Sequence, residues 1–174
     1  MLDLDQGWRT ERLSLEPLSV AHAAEMGPLL DDACLHEFTG GVPLSTAALG
    51  ARYAKLARRR SPHGDELWGN WVMRLRGTGT AVGTVQVTLP VAGPADGSAE
   101  IAWVVARGAQ GRGYAKEAAR GLTDRLLEAG WTVTAYIHPG HLASQHVARA
   151  AGLTPTTAAR HGEARWIRLP AAMP

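Results

Sequence analysis

Cysteine is almost missing from this 174-residue chain, which has one, Cys34. A lone cysteine cannot close an internal disulfide and, with no CxxC partner, offers no zinc site, so a reducing, cytoplasmic setting is expected and Cys34 reads as packing rather than nucleophile. Long apolar runs are also lacking. None reaches the ~20 residues of a membrane helix, and the opening MLDLDQGWRTERL has neither the basic start and apolar run nor the cleavage site of a secretory signal. Neither charge sign dominates: 18 Lys and Arg stand against 16 Asp and Glu, a net +2, where a nucleic-acid binder is strongly basic. The local cluster Arg52, Lys55, Arg58, Arg59 and Arg60 reads as a solvated helix face. His138, His141 and His146 have neither HExxH spacing nor a cysteine companion, so no metal is expected. No membrane or nucleic-acid partner follows from such a composition.

What is present is an ordinary globular balance, 45% hydrophobic and 20% charged, with 20 Gly and 10 Pro spread along the chain. With no repeat, low-complexity tract or linker, one domain over residues 1–174 is expected. Leu13 and Leu15 alternate with polar neighbours as in a strand that Pro17 closes, and a helical stretch follows around Ser19 to Leu30. Residues 45–60 read as a second helix with a basic side. Two strands, 67–75 and 80–89, flank a Gly77-Thr78-Gly79 turn, and the loop 90–98 leads to a strand at 99–105. A helix over 114–129 is capped by Gly130, then come a strand at 132–137 and a short helix at 143–151. The strand-helix-strand order from Ala99 to Ile137 predicts a parallel pair.

The informative segment is Gln110-Gly111-Arg112-Gly113-Tyr114-Ala115, where a strand gives way to a helix. Amides at a helix start are unpaired and lie on its positive end, so they can bind a pyrophosphate if no side chain blocks its approach. Gly111 and Gly113 meet that condition, and Arg112 adds positive charge, although a tight turn needs glycine with or without a ligand. Lys116 replaces the third glycine of GxGxxG, and the P-loop pattern GxxxxGK[ST] is absent.

These residues resemble the GNAT superfamily of acyl-CoA-dependent N-acetyltransferases, whose signature is Gln or Arg, two residues, Gly, one residue, then Gly or Ala. Thr10 to Leu15 is similar to that family's first strand, Val82 to Val85 to its third and Ala99 to Val105 to its fourth. Gly113 to Ala118 resembles the start of its long helix, most closely in the Rim-type branch that acetylates the amino termini of ribosomal proteins. His141 to Ala148 resembles its later Asn-x-x-Ser helix. The resemblance implies an α/β fold with a mixed, mostly antiparallel sheet, splayed after the fourth strand and flanked by helices. It implies acetyl-CoA as cosubstrate, with the pantetheine arm along Val104 and Val105 and the pyrophosphate on the turn formed by Gln110, Gly111, Arg112, Gly113, Tyr114 and Ala115. His141 stands where the family has Asn, on the cofactor side. The partners implied are an amine acceptor, either a protein amino terminus or a small molecule, and a second copy of the chain in a homodimer.

Such chemistry needs a proton acceptor, because an amine is protonated at neutral pH, and it benefits from a donor to the departing thiolate. Glu100 shares a strand face with Ala102 and Val104 and is the candidate base; a solvated carboxylate at the strand entry is its other reading. His141, with a suitable unperturbed pKa, is an alternative base. Ser144 matches a serine of the resembling branch that protonates the thiolate, while the tyrosine other members use falls at Ala148. Helix-start capping is the competing role for Ser144. Trp68, Trp71 and Trp103 are candidate walls of the acceptor pocket or core residues, and His36 and Glu37 lie in a loop where such enzymes recognise acceptors. The rival to an enzyme is a catalytically inactive acyl-CoA-binding sensor of the same fold.

Overall fold

The computed structural model describes residues 3–38, 40–95 and 97–171. Met1 and Leu2 of the amino-terminal segment, Asp96 of the expected 90–98 loop and the last three residues of the expected domain lie outside the described residues. The chain forms β1 (Trp8–Arg9), β2 (Leu13–Pro17), α1 (Ala23–Leu30), α2 (Thr46–Leu56), β3 (Glu66–Leu75), β4 (Ala81–Pro90) and β5 (Ser98–Val105). It continues through α3 (Tyr114–Glu128), β6 (Thr132–Ile137), α4 (Leu142–Ala150), β7 (Thr154–Arg160) and β8 (Glu163–Arg168). All eight strands join one sheet in the order β1-β2-β3-β4-β5-β6-β8-β7. Every neighbouring pair is antiparallel except β5 and β6, which run parallel as their helical crossover predicts.

Alternation along the strands sorts side chains onto two faces. Leu13, Leu15, Met73, Val85, Val87, Ile101, Val133 and Ala135 meet Ala118, Ala119, Leu122 and Leu126 of α3 and Val147 and Ala148 of α4 in the larger core. On the other face α1 and α2 close over Val72 and Ala81 with Met26, Leu49 and Tyr53. Trp71 is fully buried, so it belongs to the core and not to a pocket wall. Trp103 packs partly against the same core.

Two readings of the basic segment are corrected. Helix α2 ends at Leu56, short of the expected residue 60, because Arg59 takes a left-handed φ of +58° and turns the chain back toward β3. Arg59 is not solvated: it donates to Asp5 at 3.0 Å and to the Leu18 carbonyl at 3.1 Å. Cys34 is exposed rather than packed, and its sulfur accepts from Arg107 at 3.1 Å. The hairpin β7–β8 turns at His161-Gly162 with φ of +52° and +83°, the left-handed pair that a two-residue hairpin loop requires. Among the described residues no helix is long and apolar enough to cross a membrane.

Candidate active site

Strands β5 and β6 pair only over Ser98–Thr132, Ala99–Val133 and Glu100–Thr134. Beyond Glu100 they separate, so the rest of β5 keeps β4 on one edge and presents an unpaired edge on the other. The Val104 carbonyl faces β4 so closely that a Cβ on Gly83 would collide with it, which accounts for glycine there. Because strand backbone groups alternate, those of Trp103 and Val105 face the gap instead. The Val105 carbonyl already accepts from the Gln110 side chain at 3.0 Å, which pins the glycine turn to the strand end.

Since β5 and β6 are parallel, their carboxyl ends open on the same side, and the loops into α3 and α4 both leave the sheet there. Gly113 is the N-cap of α3 with φ +81°, and Gly111 has φ +75°. The first helical bond runs from the Glu117 amide to the Gly113 carbonyl at 3.1 Å, leaving the amides of Tyr114, Ala115 and Lys116 without helical partners. A Cβ on Gly111 would meet nothing within 4 Å, and one on Gly113 would meet only the Arg12 guanidinium at 3.4 Å. This turn is therefore an open cradle of amides on a positive helix end, and it fits a pyrophosphate. The Arg112 carbonyl accepts from Arg12 at 3.0 Å. Glu117 secures the helix start by accepting from the Thr10 hydroxyl at 2.5 Å and from the Arg12 amide at 2.7 Å.

His141 is the N-cap of α4 but makes no side-chain cap bond. Its ring stacks on Phe38, with ring centroids 4.5 Å apart. Burial pushes its pKa below the ordinary histidine value; Glu37 opposes that and His138 adds to it. This shift favours the neutral ring. Ser144 sits three residues into the helix, so the cap position is His141's, and its half-buried hydroxyl has no hydrogen-bond partner among the described residues.

Glu100 lies on the face opposite α3, in register with Thr88 of β4 and Thr134 of β6. Arg160, from the β7–β8 hairpin, reaches its carboxylate at 2.6 Å and lies 3.7 Å from the centroid of the Tyr136 ring. The sequence carried no signal for Arg160, since β7 is exposed along most of its length and shows no apolar alternation. On the same sheet face a cavity of about 150 Å³ is lined by Arg52, Trp68, Asn70, Gln86 and Thr88. Among the described residues no group of three or more His, Cys, Asp or Glu is arranged to hold a metal ion.

Residues 12–154 match the family described as the acetyltransferase (GNAT) domain. Among solved structures, an acetyltransferase from Agrobacterium tumefaciens is similar at 25% identity and TM-score 0.72, covering 94% of each chain. The fold is also shared with RimL, a ribosomal L7/L12 alpha-N-protein acetyltransferase in complex with coenzyme A, at 14% identity and TM-score 0.76 over 97% of this chain and 100% of that one. A third similar fold is the microcin C7 self-immunity acetyltransferase MccE in complex with acetyl-CoA and AMP, at 12% identity and TM-score 0.73 over 92% and 93%. Among curated proteins no sequence matches.

Proposed function

The chain belongs to the GNAT acetyltransferase family, and from that premise we propose that it moves the acetyl group of acetyl-CoA to an amine by direct attack on the thioester. The observation that carries this reading is the sheet gap beyond Glu100, opening beside the amide cradle at Gly111–Lys116. The cradle amides hold the pyrophosphate, and Arg112 adds charge beside them. The backbone groups of Trp103 and the Val105 amide pair with the pantetheine amide groups as a neighbouring strand would, keeping the thioester in the gap. His141 and the start of α4 border the same space.

Glu100 takes the proton from the acceptor ammonium, directly or through a water, so that the nitrogen lone pair can attack the thioester carbon. The carbon–nitrogen bond forms, the carbon–sulfur bond breaks, and the Ser144 hydroxyl donates a hydrogen bond or proton to the departing thiolate.

Calorimetry with acetyl-CoA, followed by a thiol-release assay over a panel of amines, tests this. One molecule should bind per chain, and an amine should accelerate thiol release. Gly113→Ala shares the backbone strain of any residue at φ +81°, whereas Gly113→Glu adds bulk and negative charge. Weaker binding by Gly113→Glu than by Gly113→Ala supports the cradle, and equal affinity removes it. Binding without acetyl transfer to any amine would identify a sensor instead.

A further inference from the structure

The cavity between α2 and the β3–β4 face has a composition that selects among acceptors. Asn70 is only 5% exposed, lines this cavity, and its side chain makes no hydrogen bond among the described residues. Its amide is not among the buried polar groups cut off from solvent, so it opens onto the cavity, where a ligand's polar groups can replace the water that bonds it. Gln86 and Thr88 are half-buried beside it, also with unpartnered side chains among the described residues. Among the described residues Arg52 supplies the one charged group of the lining, and no carboxylate lines the cavity. The nearby Glu66 carboxylate accepts from the Trp68 indole at 3.0 Å.

Register ties this cavity to the reaction centre. Trp68, Thr88 and Glu100 are successive cross-strand partners, as are Asn70, Gln86 and Ala102. The polar row therefore runs from the cavity to the candidate base, past an Ala102 that is exposed on the uncovered sheet. A cavity of about 150 Å³ holds the equivalent of roughly five water molecules, enough for one amino-acid-sized group.

We propose that this pocket binds the part of the acceptor adjoining its amine and selects a monoamine whose neighbouring groups are neutral hydrogen-bonders or a carboxylate, of the amino-acid or short-peptide kind, against polycationic amines. The inference rests on the acetyltransferase reading for its chemistry, but not for the binding itself. Asn70 and Gln86 each offer a donor and an acceptor to amide or hydroxyl groups. Arg52 pairs with a carboxylate, and its charge, with no acidic counterpart in the lining, repels a second ammonium.

The test compares serine, the dipeptide Ser-Asp, its neutral counterpart Ser-Asn amide, and spermidine as acceptors with acetyl-CoA. Alongside, the side-chain amide resonances of Asn70 and Gln86 are followed by NMR as Ser-Asp is added. The expected result is a higher kcat/KM for serine or Ser-Asp than for spermidine, with shifts at both amides. Free amino acid and peptide are told apart by which of the two is preferred. In Arg52→Gln, an exposed helix position, KM for Ser-Asp should rise ~10-fold, as for a lost charge-assisted hydrogen bond, while KM for Ser-Asn amide and for acetyl-CoA stays unchanged. Preference for spermidine, or an unchanged acceptor KM in both Arg52→Gln and Gln86→Leu, overturns the proposal. Amide shifts without transfer to any acceptor would retain the pocket and remove the transferase reading; transfer to spermidine without shifts would do the reverse.

Discussion

Arg160 reaches across from β7 to Glu100 on β5, with Nη2 to Oε1 at 2.6 Å. The contact joins the two arms of the sheet where they begin to part. Both side chains are well exposed, at 46% and 37%, so the pair adds little stability. Its effect is to fix where the carboxylate points. Glu100→Gln keeps that shape and removes the base, so turnover should fall ~100-fold. Acetyl-CoA affinity should be unaffected and the rate partly restored at higher pH, where more amine is free. Steady-state kinetics and calorimetry on the same preparation check this, and wild-type turnover would leave Glu100 a surface carboxylate.

Ser144 has two readings with different readouts. Its place inside α4, with His141 at the cap, implies that Ser144→Ala leaves the melting temperature nearly unchanged. Loss of a thiolate donor should slow single-turnover acetyl transfer, by ~100-fold if Ser144 acts as a full general acid. A normal rate with a lowered midpoint would assign the hydroxyl to structure and leave water as the donor.

Glu117 links the strand start at Thr10 and Arg12 to the first turn of α3. Burial alone pushes its carboxyl up. The Thr10 hydroxyl and the Arg12 amide and guanidinium more than offset this and hold it below the ordinary glutamate value. A depressed carboxyl pKa stabilises the fold above the unfolded value of about 4.3, and that contribution is lost as pH falls through the folded one. Glu117→Gln should cost roughly 1–3 kcal/mol at pH 7. Urea denaturation should find the difference from wild type shrinking below about pH 4.

Tyr53 of α2 carries a buried hydroxyl with no hydrogen-bond partner among the described residues. Burial raises its pKa to about 12, slightly offset by Arg52. A raised pKa means that the folded state holds the proton more tightly, so this contribution is complete below about pH 10 and is lost as pH rises toward 12. Tyr53→Phe has no such group. It should match or exceed wild-type stability at pH 7, since no hydrogen bond is lost, and its advantage should widen in denaturation curves between pH 10 and 11.

The strand, glycine turn and helix from Ala99 to Glu128 were legible because each obeys a local rule. Apolar residues alternate on β5, glycines take the positive φ that the turn needs, and Ala118, Ala119, Leu122 and Leu126 recur at helical spacing. The same local chemistry fixes the open amides at the start of α3. Other parts of the site depend on chain segments far apart in sequence. Arg160 lies 60 residues from Glu100, on a hairpin whose strand β7 is mostly exposed and so shows no apolar period. Gln86 and Thr88 could be read only as the polar side of β4; the register with Asn70 and Glu100 turns that side into a pocket wall leading to the base. The end of α2 and the pairing of Arg59 with Asp5 and Leu18 follow the same division. Periodicity and turn chemistry act over a few residues, and these the sequence determined. Which polar side chains face one another, and where two parallel strands part company, depends on packing across the whole sheet, and only the tertiary structure decided it.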